Sequence, residues 1–210
     1  MLLVKICGIT RLEDAEAAVA AGARALGFVF WPESPRFVDP HRARAIVKAL
    51  PPFVTTVGVF VNQPVEYVNG VASLACLSAV QLHGDETIED AARMMRPVMK
   101  AIGVTTATVE HAADAWPARV TMLLDVHDPR RRGGTGRTID WTVAAALAAR
   151  RRTMLSGGLT PDNVAEAVAR VRPFGIDISS GVERSPGVKD HARMRALFEV
   201  VHDIDHAARS

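Results

Sequence analysis

Leu2-Leu3-Val4-Lys5-Ile6-Cys7-Gly8-Ile9-Thr10 opens the chain, an apolar run that stops abruptly in a cysteine, a glycine and a threonine. An acidic, alanine-rich stretch, Asp14-Ala15-Glu16-Ala17-Ala18-Val19-Ala20-Ala21, follows. In an extended chain alternate side chains share a face, so Leu3, Lys5 and Cys7 point one way. Gly8 lets the backbone turn at once and leaves Cys7 at a rim rather than deep in a core. A strand that feeds a helix and carries a reactive group at its carboxyl end is how α/β enzymes build their sites. Taken alone, Cys7 reads more simply as a small buried hydrophobe.

The rest of the chain repeats the pattern. Strands are predicted over 25–30, 54–61, 79–83, 97–102, 120–125, 152–155 and 175–178, the first of these stopped by Trp31-Pro32 and the others mostly by polar or glycine residues. Between them lie helical segments. Thr10 with Glu13 reads as a capping box for the first, which Gly22 ends. Asp39-Pro40 opens the second, through about Leu50. Others are expected over 64–74 and 86–95, more weakly between Thr108 and Trp116, over 140–149, from Thr160-Pro161-Asp162, and over 190–207. Continuous apolar strands imply a parallel sheet covered by helices. Eight such units close most simply into a (β/α)8 TIM barrel, one domain over residues 1–210. An open doubly wound sheet is the alternative, but Cys7-Gly8-Ile9-Thr10 is not the glycine-rich loop that it would ordinarily carry.

A formal charge of +2 argues neither for nucleic acid nor for an anionic membrane surface. No apolar run is long enough to span a bilayer. The start Met-Leu-Leu-Val-Lys lacks the features of a signal peptide. Two cysteines, Cys7 and Cys76, form neither a disulfide framework nor a zinc motif. The default expectation is a cytoplasmic protein that acts on a small molecule, with a monomer as its simplest state.

In a barrel the carboxyl ends of the strands share one mouth. Those ends carry Cys7, Asn62, His83, Lys100, Asp125, Gly157-Gly158, Asp177 and Ser180-Gly181, with Arg36 on the second loop. The loops after strands seven and eight outline a phosphate site, since small residues let several backbone N–H groups converge on an anion. They could equally be mere tight turns. The Gly133-Gly134-Thr135-Gly136 stretch of loop six reads as a flexible lid, and the arginine run before it as a solvated face or a steering patch. Asp125 ends a wholly apolar strand, where partial burial suits it to donate a proton; a cap or a salt bridge is as good a reading in isolation. Cys7 as a thiolate would accept one. Arg36, after Pro35, offers a fork for a carboxylate, or is an ordinary exposed arginine.

Together these pieces resemble the phosphoribosylanthranilate isomerase family. The likeness runs through Lys5-Ile6-Cys7-Gly8-Ile9-Thr10, Gly27-Phe28-Val29-Phe30 with Ser34-Pro35-Arg36, Gly58-Val59-Phe60-Val61-Asn62 and Val80-Gln81-Leu82-His83-Gly84. It continues in Leu123-Leu124-Asp125, Gly133-Gly134-Thr135-Gly136, Leu155-Ser156-Gly157-Gly158-Leu159 and Asp177-Ile178-Ser179-Ser180-Gly181-Val182-Glu183. The Lys-Ile-Cys-Gly opening combined with Ser-Pro-Arg is the most specific part. The resemblance implies a cofactor-free barrel that performs an Amadori rearrangement of N-(5-phosphoribosyl)anthranilate. It implies Asp125 as general acid, Cys7 as general base and Arg36 on the anthranilate carboxylate. Gly158, Ser180 and Gly181 would hold the phosphate, with Gly157 and Gly134 close by. Asp177 would either touch substrate or pair with Lys5.

Two rival readings share the barrel. A metal-dependent sugar-phosphate epimerase or aldolase would draw ligands from His83, Asp125, His127 and Asp177, whose spacing matches no compact ligand motif. A non-catalytic phosphate-binding module would need the glycine loops but neither Cys7 nor Asp125.

Overall fold

Alternation of short apolar strands with helices has one outcome here: a sheet of eight parallel strands closed on itself in sequence order. The computed structural model describes residues 1–103, 113–125 and 141–207. The strands are β1 (Leu3–Ile6), β2 (Ala25–Val29), β3 (Thr55–Phe60), β4 (Ala79–Leu82), β5 (Val98–Gly103), β6 (Thr121–Asp125), β7 (Thr153–Ser156) and β8 (Gly175–Ile178). Helices α1 (Leu12–Ala21), α2 (Pro40–Ala49), α3 (Val65–Leu74), α4 (Ile88–Ala92), α5 (Trp141–Ala148), α6 (Val164–Val171) and α7 (His191–Ala207) connect or follow them. The ring closes where β1 pairs with β8, Lys5 level with Asp177. The helix expected between Thr108 and Trp116 falls largely outside the described residues.

Both faces of the sheet are apolar, for different reasons. Outward residues such as Val4, Ile6, Leu26, Phe28, Leu124, Leu155 and Ile176 are buried under the helices in one continuous cluster. Inside, Leu3, Met99, Ala101, Leu123 and Met154 fill one part of the lumen. A polar group interrupts this filling. The Lys5 ammonium, fully buried, donates to Asp177 Oδ1 at 2.8 Å and to Gln81 Oε1 at 3.0 Å. A buried ammonium persists only when paired and hydrogen-bonded, and strands one, four and eight each supply one member of this set.

Three boundaries differ from expectation. Thr10 does not cap α1; Arg11 occupies that position without a side-chain cap bond, while Thr10 Oγ1 donates to Gly187 O at 2.6 Å. The threonine therefore ties the first loop to the chain after β8. The fourth helix is only five residues long, because Thr87 and Asp90 form its capping box and Glu86 is drawn inward to Lys100 Nζ at 2.8 Å. Thr160 likewise does not begin the seventh unit's helix. Its N–H donates to Asn163 Oδ1 at 2.8 Å, and α6 starts one residue later.

After β8 the chain makes one further turn, a 3-10 segment over Ser180–Val182. It then adds a small antiparallel pair, β9 (Glu183–Ser185) and β10 (Val188–Lys189), before α7.

Candidate active site

At the carboxyl ends of the strands lies a cavity of about 400 Å³. Its lining includes Cys7, Arg36, Asp125, Gly157, Gly158, Asp177, Ser180 and Gly181, eight of the nine expected site residues. Gly134 lies outside the described residues, as do the rest of 126–140 and with them His127 and the arginine run. Asn62 and Lys100 do not reach this mouth. Lys100 stands beside Leu82 and Met122 on the outer face of the sheet, where it donates to Gly84 O and Glu86. Asn62 Oδ1 accepts from Asp85 N at 2.6 Å and braces the fourth loop.

Cys7 follows β1 directly and its N–H donates to Ile178 O at 2.8 Å, which extends the ladder by one residue and holds the thiol over the lumen. Room for the sulfur comes from the neighbouring strand. A Cβ on Gly27 would stand 2.7 Å from Cys7 Sγ and 3.1 Å from Lys5 Nζ, so only glycine fits. Val29 and Val59, with Trp31 behind them, form an apolar wall against Cys7. Burial pushes the thiol above its ordinary pKa, against the opposing pull of the Lys5 and Lys189 ammonium groups.

Asp125 ends β6 across the mouth. Its Oδ2 lies 3.0 Å from His83 Nε2, and His83 Nδ1 lies 2.7 Å from Gln81 Nε2. Asp177 forms the ion pair with Lys5 and also lines the cavity.

The seventh and eighth loops interlock. Gly157 and Gly158 both turn through positive φ, at 98° and 64°. Asn163 Nδ2 donates to Gly158 O at 2.9 Å and holds that turn. A side chain on Gly181 would collide with the Leu159 carbonyl, so glycine is what lets the two loops touch. Among the described residues, the backbone amides of Gly157, Gly158, Ser180 and Gly181 find no protein acceptor. Four such donors lining one end of a cavity present the chemistry that suits an anion.

Arg36 is not an exposed arginine. Its Nε and Nη2 form a bidentate pair with Glu183, at 2.9 and 2.6 Å. Glu183 in turn accepts from the buried Lys189 at 2.8 Å, and Lys189 also donates to Cys7 O at 2.5 Å and to Ser179 O at 3.3 Å. Burial disfavours the Glu183 carboxylate, but the Arg36 hydrogen bonds and the Lys189 charge more than offset it and hold its pKa below the usual value. Glu183, Lys189, Gln81 and the buried Ser179 hydroxyl, which has no hydrogen-bond partner among the described residues, were not singled out from sequence. Lys189 lies beyond the last strand of the barrel with no local pattern to mark it. Gln81 and Glu183 stood within motifs, and Gln81 could have been suspected as a polar residue in an apolar run.

Among the described residues no three histidine, cysteine or carboxylate side chains converge as metal ligands. The three expected ligands that are described have protein partners instead: His83 bonds Asp125, and Asp177 bonds Lys5.

Known proteins with this sequence pattern and shape point one way. Residues 4–200 match the family described as N-(5'phosphoribosyl)anthranilate (PRA) isomerase. The N-(5'-phosphoribosyl)anthranilate isomerase of Geobacter sulfurreducens is 51% identical over 202 residues, covering 94% of this chain and 97% of that one. The crystal structure of phosphoribosyl anthranilate isomerase from Thermotoga maritima superposes with a TM-score of 0.90 at 46% identity, over 97% of this chain and all of that one. A crystal structure of a phosphoribosyl anthranilate isomerase in complex with reduced 1-(o-carboxyphenylamino)-1-deoxyribulose 5-phosphate is 44% identical with a TM-score of 0.86, again over 97% of this chain and all of that one. The barrel, the motifs at its mouth and this likeness over nearly the whole length agree: the chain belongs to the N-(5'-phosphoribosyl)anthranilate isomerase family.

Proposed function

We propose that Asp125 and Cys7 are the acid and base with which this isomerase converts N-(5-phosphoribosyl)anthranilate to 1-(2-carboxyphenylamino)-1-deoxyribulose 5-phosphate in tryptophan biosynthesis. One observation carries the assignment: the two side chains line a single cavity, on different strands, with a ring of free amides between β7 and β8 to anchor a phosphate. Asp125 gives a proton to the ribose ring oxygen, and the ring opens to an iminium. The C2′ hydrogen is now acidic, and the Cys7 thiolate takes it to leave an enolamine. Ketonisation moves a proton from the C2′ hydroxyl to C1′, with no net change in the substrate's protons. The enzyme returns to its starting state when the Cys7 thiol gives up the proton it took and the Asp125 carboxylate regains one, both by exchange with solvent. The substrate's own amine is the electron sink, which is why the chemistry calls for no cofactor. The valine wall beside Cys7 suits the anthranilate ring.

Gly157, Gly158, Ser180 and Gly181 hold the phosphate, with Gly134 as a further contact from loop six. Asp177 acts by holding Lys5. The outer edge of the Arg36 guanidinium, beyond the part held by Glu183, takes the anthranilate carboxylate. All these groups but Gly134 are brought together by one chain, which supports action as a monomer. A base that must stay a free thiol suits a reducing compartment and supports a cytoplasmic location. The chain has no helix, among the described residues, long and apolar enough to cross a membrane.

Purified protein is expected to consume phosphoribosylanthranilate, read as loss of anthranilate-type fluorescence, and to go on doing so after exhaustive chelation. Activity that EDTA abolishes and zinc, manganese or iron restores would favour the epimerase reading. Binding of phosphate without any turnover would favour the non-catalytic module.

Ser180→Asp sets a carboxylate among the four amides. It is expected mainly to raise KM, because the charge repels phosphate in ground and transition states alike. Inorganic phosphate should compete with substrate in wild type and lose that effect in the variant. A fall in kcat at unchanged KM would show that this end of the cavity is no simple anchor.

Arg36→Met is expected to reduce kcat/KM by the equivalent of about 2–5 kcal/mol, chiefly through KM. It also strips Glu183 of its bidentate partner, so thermal stability should fall by about 1–3 kcal/mol. Stability lost with kcat/KM intact would confine Arg36 to holding Glu183.

A further inference from the structure

The hydrogen bonds below the mouth run in one direction only. Lys5 Nζ can donate but not accept, so the Gln81 atom that meets it at 3.0 Å is the oxygen. Exchanging the two ends of the Gln81 amide would set an NH2 group against a buried ammonium. The Gln81 nitrogen therefore faces His83 Nδ1 at 2.7 Å, and an amide nitrogen is a donor only. Nδ1 must then be the bare, accepting nitrogen. The ring proton is left on Nε2, which donates to Asp125 Oδ2 at 3.0 Å. Asp177 fixes the other end of the chain by holding Lys5.

We propose that Gln81 and His83 are positioning residues for the acid, in which the Lys5–Gln81–His83 chain locks the imidazole as its neutral Nε2–H form and so keeps Asp125 able to carry and deliver a proton. This rests on the reading of Asp125 as the acid. A histidine with both nitrogens protonated would form a full ion pair with Asp125 and hold it as a carboxylate with nothing to give. The neutral ring offers one ordinary hydrogen bond to Oδ2 instead, so the transferable proton is carried on the other oxygen. It also fixes the plane of the carboxyl group. Because Lys5 stands beside Cys7 as well, one polar chain passes beneath both the base and the acid.

The ring nitrogens of His83 can be read directly by 15N NMR of histidine-labelled wild-type protein, with His83→Gln to assign the signals. The expected result at neutral pH is a bare Nδ1 and a protonated Nε2; a proton on Nδ1 overturns the proposal, whatever the enzyme's activity. Gln81→Glu reverses the chain, because a carboxylate accepts from Lys5 and from Nδ1–H alike. That variant should protonate Nδ1 and lose kcat by about 10- to 100-fold, the worth of a hydrogen bond to a charged group, with KM little changed. A Gln81→Glu enzyme of wild-type kcat overturns the proposal. Should that variant not fold, the wild-type ring signals alone still decide. Full turnover by Asp125→Asn would remove the acid assignment itself, and the NMR result distinguishes that failure from a wrong account of the chain.

Discussion

Cys7→Ser is expected to lower kcat by roughly 10²–10⁴-fold, the usual worth of a positioned acid or base, with KM and fold little changed. Serine matches the thiol in size and keeps the N–H bond to Ile178 O, so the backbone at the end of β1 has no reason to move. What is lost is a group that can ionise near working pH. The pH dependence follows from the direction in which the site moves the thiol. Burial raises its pKa while Lys5 and Lys189 pull it back only in part, so the base is mostly protonated at neutral pH. In wild type kcat/KM should therefore climb with pH as the thiolate forms, and this limb should vanish in the variant while the falling limb set by the acid remains. Folding stability carries the same signature with the opposite trend. A group whose pKa is raised on folding favours the folded state below its unfolded value and loses that contribution as pH rises through the folded one. The wild type should thus lose stability relative to Cys7→Ser only in alkaline solution. Wild-type turnover by a normally folded Cys7→Ser protein would remove the base from the mechanism.

Asp125→Asn should cost a similar factor, roughly 10²–10⁴-fold in kcat, for a different step. An asparagine oxygen can still accept from His83, so shape and contact survive and only the proton to be donated is gone. Ring opening and C2′ deprotonation are successive, so the double variant should lose far less than the product of the two single losses if one step becomes fully limiting in either. Single-turnover fluorescence separates the cases. A strictly multiplicative loss would mean that the two side chains act in one concerted step, and an unimpaired Asp125→Asn enzyme would leave that carboxylate as a structural partner of His83.

The parts of this molecule that could be read from sequence are those carried by local pattern. Apolar runs ending in Cys7, Asp125 or Ser156-Gly157-Gly158 gave both the strands and the direction of the mouth, because a strand's carboxyl end is marked by the residue that stops it. Cys7, Asp125, Arg36 and the glycines of the last two loops do line one cavity. The failures have a common cause. Thr10 looked like a cap and Lys100 like a mouth residue, yet each is claimed by a partner outside its own local pattern, Gly187 for the first and Glu86 for the second. Lys100 also shows the limit of strand ends as a guide. One step along a strand turns a side chain from the lumen to the helices, and only the register with β4 and β6 settles which way it faces.

Lys189 has a consequence for how the enzyme comes into being on the ribosome. Its ammonium clasps the carbonyls of Cys7 and Ser179 and the carboxylate that steadies Arg36, and its contact with Cys7 joins residues 182 positions apart. The seam between β1 and β8 is therefore secured by a residue synthesised after both of them. A growing chain can wind up most of its strand–helix units in order, but its thiol end stays open until Lys189 has left the exit tunnel. The contacts that complete the catalytic mouth thus need residue 189, and a chain stopped short of it is expected to leave the mouth unfinished however well the earlier units have folded.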